Sequence, residues 1–492
     1  MNGRSNIFLE ITGPQRFALI LYFFLYRVAF PGFNAVGSPD FGPEVWTLFA
    51  AEMLYTFLLA LPILFYRRNY GWLHPLILPA VLQIAIAVVR NPTHLIIPFD
   101  NPLVSFEVET TSVAISLGTS YAELATTRLN YKLVLAAALV AYYVGFFGVK
   151  RTSVPKFRFG EPRNLTLICL IGIAATAAVT AAFIAYFGGL SGLIAAMRGG
   201  RRAAFAGLGP IQDVGEFGTV IALVWFVYAK RAFFNPVFLG GLVVSLVSAL
   251  LVTGSRSSLI APLITLVLLW WWKSRKVLVG PSLGLALMAL AVVGAWGAIR
   301  QDYTSSQVDW SILSLENATE WFTRASEEIS KRNDEEGDVA AFAGANQEGL
   351  LLGRSYVGSI LFFVPRAIWP DKPRSVDTYN MFINFAGGSI DQKLPRVGVW
   401  GIPVSPQVEA FWNFHLPGVL VIFAAFGVFH RFMESFIRAY ADVPAMWVVY
   451  VYIISNFSGS ALSFVSTIRD LIFLIAFLAV LGVVRFRVSP RR

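Results

Sequence analysis

The residues best suited to chemistry form a basic, proline-rich stretch from Gly353 to Pro373. Arg354, Arg366 and Lys372 lie around Trp369, and the prolines of the stretch restrict its backbone. Because a guanidinium group matches phosphate oxygens in a planar, bidentate geometry, cations held together in this way favour binding of an anion. The stretch therefore predicts an anion-binding site.

The composition places this site in a membrane protein. Of the 492 residues, 56% are hydrophobic and 14% are charged, and the mean hydropathy is +0.64. Soluble proteins carry about 25% charged residues, so that class is excluded.

The net charge of +10 does not indicate nucleic acid as a partner, because the basic residues lie in short loops between apolar runs, where they set topology. The single cysteine, Cys169, lies in an apolar run, which excludes an internal disulfide and a cysteine-based metal site. We expect no cleavable signal peptide, because the first apolar run contains Arg27 and leads into further membrane segments.

About twelve apolar runs could span a bilayer, which predicts an all-α polytopic membrane protein with about twelve transmembrane helices. They cover residues 17–33, 45–66, 73–90, 132–149, 164–187, 215–229, 235–253, 257–272, 277–299, 416–430, 444–466 and 468–485. The clusters of Lys and Arg fall on alternate loops, so we expect both termini to lie in the cytoplasm.

These runs predict three parts of the chain. Residues 1–299 form an N-terminal bundle of about nine helices, and residues 416–492 form the C-terminal transmembrane helices. Between them, residues 300–415 form a large loop on the outer (periplasmic) side, which contains short interfacial helices and is long enough to cap the outer face of the bundle and to be functional. The apolar middle of the basic stretch, 355–364, has about half of the roughly 20 residues that a spanning helix requires. We therefore expect it to lie at the interface or to re-enter the membrane from one side.

Basic residues on the expected outer side oppose the topology rule and need another explanation. Arg256 and Arg469 occupy very short predicted turns, and Arg198 lies on the same side. A single arginine of this kind can extend to the lipid headgroups or pair with an acid. Several of them together predict a converging cradle for phosphate.

The large loop contains three further predicted features. Residues 315–329 carry apolar side chains at three- and four-residue steps, which predicts an amphipathic helix, and 333–348 is rich in Asp, Glu, Gly and Ala, which predicts a mobile segment that could gate a cavity. Glu409 and His415 end the loop at the outer mouth of the bundle, where either could accept a proton. The alternatives are that Glu409 is the ion partner of an arginine and that His415 only makes an interfacial hydrogen bond.

In these features the chain resembles the Wzy-type oligosaccharide repeat-unit polymerases, which include O-antigen and enterobacterial common antigen polymerases. The resemblance covers the second half of the chain and depends on the multi-spanning layout with one late periplasmic loop and on four motifs. They are Thr253-Gly-Ser-Arg-Ser257, Gly353-Arg-Ser355 followed by Pro365-Arg-Ala-Ile-Trp-Pro-Asp-Lys-Pro373, Pro406 to Gly418 with its Glu and Asn-Phe, and, as an additional match of a kind that arises easily by chance, the ten residues between Arg198 and Gly209. The Pro365–Pro373 motif is fairly specific and the others are weak. The chain departs from the family pattern at His415, where Gly is expected after Asn-Phe.

The resemblance implies a GT-C-type glycosyltransferase in the bacterial inner membrane, with its active site on the periplasmic face. Its donor is a glycan on undecaprenyl pyrophosphate, and its acceptor is a lipid-linked repeat unit whose hydroxyl attacks the donor's anomeric carbon. A chain-length regulator and a flippase for lipid-linked sugars are the implied protein partners.

The residue types fit this chemistry, because a pyrophosphate leaving group needs its negative charge stabilised and arginines can do so without a metal. We therefore expect a metal-independent reaction without a cofactor. We assign catalysis to Arg256 and Arg366 on the leaving group and to Glu409 as the base. Substrate binding is assigned to Arg198, Arg354, Trp369, Lys372, His415 and Arg469.

Two other functions remain open. An O-antigen ligase, or another glycosyltransferase that uses lipid-linked sugars, would need the same arginines and differ only in its acceptor. A transporter of lipid-linked oligosaccharides would usually have related halves and polar residues at mid-membrane. The sequence has no internal repeat, and its notable charges are predicted at the outer helix ends.

Overall fold

A computed structural model describes the fold. The described residues are 6–29, 43–67, 69–82, 121–150, 154, 157–198, 201–205, 207–301, 314, 321, 334–361, 363–364, 368–390, 392 and 401–484. Their α-helices are α1 Gly13–Phe24, α2 Pro43–Leu64, α3 Tyr121–Gly148, α4 Leu165–Tyr186, α5 Leu190–Arg198, α6 Arg201–Ala204, α7 Gly209–Tyr228, α8 Pro236–Thr253, α9 Ser257–Ser274, α10 Val279–Gln301, α11 Asp334–Gln347, α12 Arg354–Ile360, α13 Val376–Asn380, α14 Pro406–Ala439, α15 Pro444–Asn456 and α16 Ala461–Val480. No β-strand is formed within these ranges, where pairing is limited to two isolated bridges.

Nine helices among the described residues are long and apolar enough to cross a membrane, as in a polytopic membrane protein. Nine of the predicted apolar runs correspond to them, but the predicted number of twelve is not confirmed. The run 17–33 is described only as far as residue 29, and this part belongs to the 12-residue α1 and to a short π-helix, Leu25–Ala29. The run 444–466 is divided, because α15 ends at Asn456 before α16 begins. The run 73–90 is described only as far as residue 82.

The chain forms two compact units that do not follow its linear order. The first unit contains Met1–Thr152, Ser330–Glu434 and Phe457–Val465. The second unit contains Ser153–Ile329, Ser435–Asn456 and Ser466–Arg492. The predicted outer loop is thus divided between them at about residue 330.

In the first unit, α3 and α14 approach so closely that only glycine fits at the crossing. A Cβ atom on Gly427 would overlap the carbonyl oxygen of Tyr142, and one on Gly145 would overlap that of Ala424. Small residues at such contacts let helix backbones touch, which is a common packing mode in membranes. The two reciprocal glycines therefore fix the position of α14 against α3.

Helix α14 is interrupted at His415. This residue has φ 58° and ψ −159°, a backbone conformation at the edge of a region that glycine alone adopts readily. The interruption separates a short segment, Pro406–Phe414, from the apolar remainder of the helix. The backbone at this position therefore favours Gly, although the chain has His there.

The structure overturns the prediction of a mobile segment over 333–348. Residues Asp334–Gln347 form α11, whose Val339 and Phe342 are buried. Asp338 is also buried and accepts hydrogen bonds from the hydroxyl of Tyr131 at 2.9 Å and from the amide of Ser405 at 2.5 Å. The small Ala and Gly side chains that suggested mobility instead allow α11 to pack closely. The predicted helix 315–329 lies outside the described residues, apart from residue 321.

In the second unit, the ends of α8 are determined by local sequence. The side chain of Asn235 accepts hydrogen bonds from the amides of Val237 and Phe238, and Pro236 suits the first helical position. Gly254 ends the helix in a left-handed conformation with φ 60°. The chain then turns sharply into α9, so that Arg256 lies in the short turn that the sequence predicted.

Candidate functional site

A buried carboxylate lies in the first turn of α14. Glu409 is only 1% exposed, and its Oε1 accepts a hydrogen bond from the hydroxyl of Ser355 at 2.9 Å. Its Oε2 accepts one from the amide of Ala461 at 3.0 Å. Asn413, one turn further along, donates to the Ser355 hydroxyl and to the carbonyl oxygen of Glu409, both at 2.8 Å. This polar cluster attaches α12 to the segment of α14 that precedes His415.

Two polar atoms beside this cluster have no hydrogen-bond partner among the described residues. They are the hydroxyl of Tyr356 and the side-chain oxygen of Asn413. Burial, and then the negative charge of Glu409, raises the pKa of Tyr356 above its ordinary value, so this hydroxyl stays neutral. The ring of Tyr356 stacks on Phe414 with 5.8 Å between centroids. The Tyr356 hydroxyl is thus a neutral, buried hydrogen-bond donor, and its ring packs on an aromatic neighbour.

The loop cations predicted to bind an anion are only partly described. Arg354 is exposed at the start of α12 and donates to the carbonyl oxygen of Ile390 at 3.2 Å. Lys372 donates to the carbonyl oxygens of Leu361 and Val364, at 3.1 and 3.2 Å, and so stabilises the turn after α12. The predicted catalytic residue Arg366 lies outside the described residues, and Trp369 is half-buried.

His415 does not join the buried cluster. Its side chain is exposed, and its ring lies on that of Phe411 with 4.4 Å between centroids. The described contact is therefore one of aromatic packing at the helix break.

In the second unit, three arginines collect at the ends of α8 and α10. Arg198 donates to the carbonyl oxygen of Ile299 in the last turn of α10, through Nε at 3.1 Å and Nη2 at 2.5 Å. Arg201 donates to the carbonyl oxygen of Thr253 at the end of α8, at 3.1 Å. Arg256 is buried, and its guanidinium lies against Gly297, where a Cβ atom would come within 3.0 Å of Nη2. Cations near helix C-termini are stabilised by the last carbonyl groups and the helix dipole. We call these three residues the arginine cluster.

Arg469 does not lie in a turn, as the sequence suggested, but well inside α16, where carboxylates surround it. It contacts Asp213 at 2.6 Å, Asp470 at 3.0 Å and Glu216 at 3.8 Å. Asp470 also accepts a hydrogen bond from the hydroxyl of Tyr452 at 2.5 Å. The charge of Arg469 is thus engaged by protein acids, which corrects the expectation of an arginine presented at a hairpin tip.

Ser258 connects the ion network of Arg469 to the turn that carries Arg256. Its hydroxyl donates to Glu216 at 2.7 Å and lies 2.9 Å from the hydroxyl of Thr253. Arg198, Arg201 and Arg256 therefore lie together at the ends of α8 and α10. Arg469 is not part of this cluster, and the hydrogen bonds of Ser258 with Glu216 and Thr253 connect its ion network to the turn that carries Arg256.

Sequence reasoning missed the polar partners of these residues. Asn413 could have been found, because it is four residues from Glu409 and therefore on the same helix face. Asp213 and Glu216 open an apolar helix, and charges at such positions usually have partners. Two buried polar contacts in the first unit were also missed. Oε1 of Glu434 lies 3.7 Å from Nε2 of His74, and the hydroxyl of Tyr142 lies 2.8 Å from Nδ1 of His430.

Within the described ranges no group of three or more His, Cys, Asp or Glu side chains could hold a metal ion. Metal independence of the reaction stays a prediction. No protein-family model, curated protein or solved structure matches this chain.

Proposed function

We propose that this protein is a membrane glycosyltransferase that joins undecaprenyl-pyrophosphate-linked oligosaccharide repeat units into a surface polysaccharide. In this reaction the acceptor hydroxyl oxygen forms a bond to the anomeric carbon of the donor. The bond between that carbon and the pyrophosphate oxygen breaks, the proton of the hydroxyl passes to a base, and undecaprenyl pyrophosphate leaves. The proposed location is the periplasmic face of the bacterial inner membrane.

The observation that carries the proposal is the arginine cluster. Arg198, Arg201 and Arg256 bring three positive charges to one end of the helices of the second unit. The negative charge on a pyrophosphate increases as the glycosidic bond breaks, so preorganised guanidinium groups bind the transition state more strongly than the ground state. Arg256 is the residue of the cluster to which we assign the leaving group, because burial strengthens its electrostatic effect.

In this proposal Glu409 is a positioning residue. Both of its oxygens already accept hydrogen bonds, one from the hydroxyl of Ser355 and one from the amide of Ala461. Its contact with Ser355 instead determines where Arg354 and Tyr356 lie. The earlier assignment of Glu409 as the base stays an untested prediction.

The test is a polymerisation assay with purified protein in liposomes and a synthetic lipid-linked repeat unit. We expect Arg256→Lys to lose about 10²–10³ in rate, because lysine retains the charge but not the planar fork of donors. Arg275→Lys is the matched control, since Arg275 ends the same helix, α9, at its other end. A normally folded Arg256→Lys variant that forms polymer at the wild-type rate would contradict the proposal.

A transporter of lipid-linked sugars is the second candidate, and the ion network around Arg469 favours it. Charged groups inside membrane helices are typical of transport pathways. The same liposomes distinguish the functions: a ladder of product lengths supports the polymerase, transfer of one finished glycan to a lipid acceptor supports a ligase, and movement of the unmodified lipid-linked sugar between leaflets supports the transporter.

A further inference from the structure

Helix α12 has its polar and apolar faces in the reverse of the arrangement expected for a helix in water. Its buried residues are Ser355, Gly358 and Ser359, which are small or polar. Val357 and Ile360 are exposed by 43% and 48%. A helix on a protein surface in water normally has its apolar residues inside.

Further exposed apolar residues flank α12 in the chain. Leu352 is 72% exposed, Phe363 is 67% exposed and Ile368 is 77% exposed. Complete burial of a side chain of this size is worth about 1.5–3 kcal/mol, so five such side chains in water would be a substantial cost. We call Leu352, Val357, Ile360, Phe363 and Ile368 the apolar patch.

The inner face of α12 is attached in a way that prevents the helix from turning its apolar patch inward. Ser355 is hydrogen-bonded to Glu409 and Asn413 in the interior. A Cβ atom on Gly358 would overlap the carbonyl oxygen of Pro373, so the backbone of the following loop lies directly against this face. The contacts of Ser355 and Gly358 therefore keep the apolar patch on the outer face of α12.

The part of α14 to which α12 is attached indicates what covers the apolar patch. Glu409 and Asn413 belong to the short segment of α14 that leads directly into its apolar, membrane-crossing part. The patch is thus attached to the end of a membrane helix, where lipid is adjacent. Arg354 is exposed on α12 beside the patch and can extend to lipid phosphates, as basic residues at membrane boundaries do.

We propose that the apolar patch is inserted into one leaflet of the bilayer, where it contacts the acyl chains of the lipids. This segment then binds the membrane as interfacial helices do, by buried apolar area and basic residues together. The proposal does not depend on the enzymatic function, since it concerns only the solvent around these five side chains.

The experiment is spin-label accessibility in phosphatidylcholine and phosphatidylglycerol vesicles. Val357→Cys, Ile360→Cys and Phe363→Cys are labelled singly in a Cys169→Ala background. Because oxygen concentrates in acyl chains and a nickel chelate stays in water, we expect these labels to be more accessible to oxygen. A label at the exposed Glu348→Cys is the matched control and should be more accessible to nickel. Nickel accessibility at the patch equal to that at position 348 would overturn the proposal.

A second measurement needs no substitution. The wild-type protein is reconstituted with a phosphatidylcholine that carries a photoactivatable group in its acyl chain, and crosslinked peptides are identified by mass spectrometry. We expect crosslinks on the peptide that contains Leu352 to Phe363. Crosslinks on α4 without any on this peptide would refute membrane insertion, and they would do so whatever the polymerisation assay shows.

Discussion

Replacement of His415 by glycine should be better tolerated than its replacement by alanine. Both changes remove the imidazole ring from Phe411, so the loss of that aromatic contact is equal in the two variants. They differ in the backbone, because position 415 has φ 58° and ψ −159°. A side chain in this region costs about 1–3 kcal/mol, and glycine removes that cost.

Glycine also has a cost, since it loses more conformational freedom on folding than alanine, by about 0.5–1 kcal/mol. The difference leaves His415→Gly more stable than His415→Ala by about 1 kcal/mol. Ala425→Gly is the internal control, because Ala425 is exposed on the regular part of α14. There, glycine should be less stable than alanine by about 1 kcal/mol, with the opposite sign.

The assay is thermal unfolding of the purified protein in detergent, followed by tryptophan fluorescence. A change of 1 kcal/mol corresponds to about 2–4 °C for a domain of about 200 residues and to less for a longer chain. Replicate scans at one heating rate are needed to resolve the difference. An alanine variant that unfolds at the same temperature as the glycine variant, or at a higher one, would refute the reasoning about position 415.

Gly427→Ala should lower the unfolding temperature and the yield, because a methyl group there meets the backbone of α3, whereas Gly148→Ala has open space and should have little effect. Equal unfolding temperatures for the two variants would show that the helices separate easily. Arg469→Ala should destabilise the second unit, but by less than the about 3–5 kcal/mol that breaking a fully buried ion pair costs, because Arg469 and Asp213 are 27% and 22% exposed. Adding Asp213→Asn should restore part of the loss, and a double variant no more stable than the single one would argue against the ion network. Tyr356→Phe should leave the unfolding temperature unchanged, since the hydroxyl has no hydrogen-bond partner in the described structure, while polymer length should shorten if that hydroxyl contacts sugar. A clear loss of stability would indicate a partner for the hydroxyl.

Hydropathy predicted most of the membrane helices, because a spanning segment must satisfy its backbone polar groups internally and can hardly be anything but an apolar helix. Hydropathy was less informative about the residues at which the helices begin and end. The predicted runs 444–466 and 468–485 meet at residue 467, whereas α15 ends at Asn456 and α16 begins at Ala461, a break that composition does not reveal. The helical state of α11 was missed because its many small residues were interpreted as a sign of mobility, although small residues also allow close packing.

The sequence indicated individual residues of the candidate sites, but it did not indicate which residues contact each other. Arg256 was placed in a turn because the residues around it, Thr-Gly-Ser, are a local signal. Arg469 was misplaced because its partner Asp213 is 256 positions away in the chain, and no local pattern reports such a pairing. The burial of Glu409 and its hydrogen bond with Ser355 depend on the path of the loop, which no local pattern reports.

The two attachments of α14 have a mechanical consequence. Beyond the break, its apolar part is locked to α3 by Gly145 and Gly427, and before the break, its short segment is locked to α12 through Glu409. His415, whose φ and ψ angles are not helical, lies between these two parts of α14. A change in the φ and ψ angles of His415 would move Pro406–Phe414 together with α12, relative to the part of α14 that packs on α3. The same change would have to break the hydrogen bond from Ala461 to Glu409.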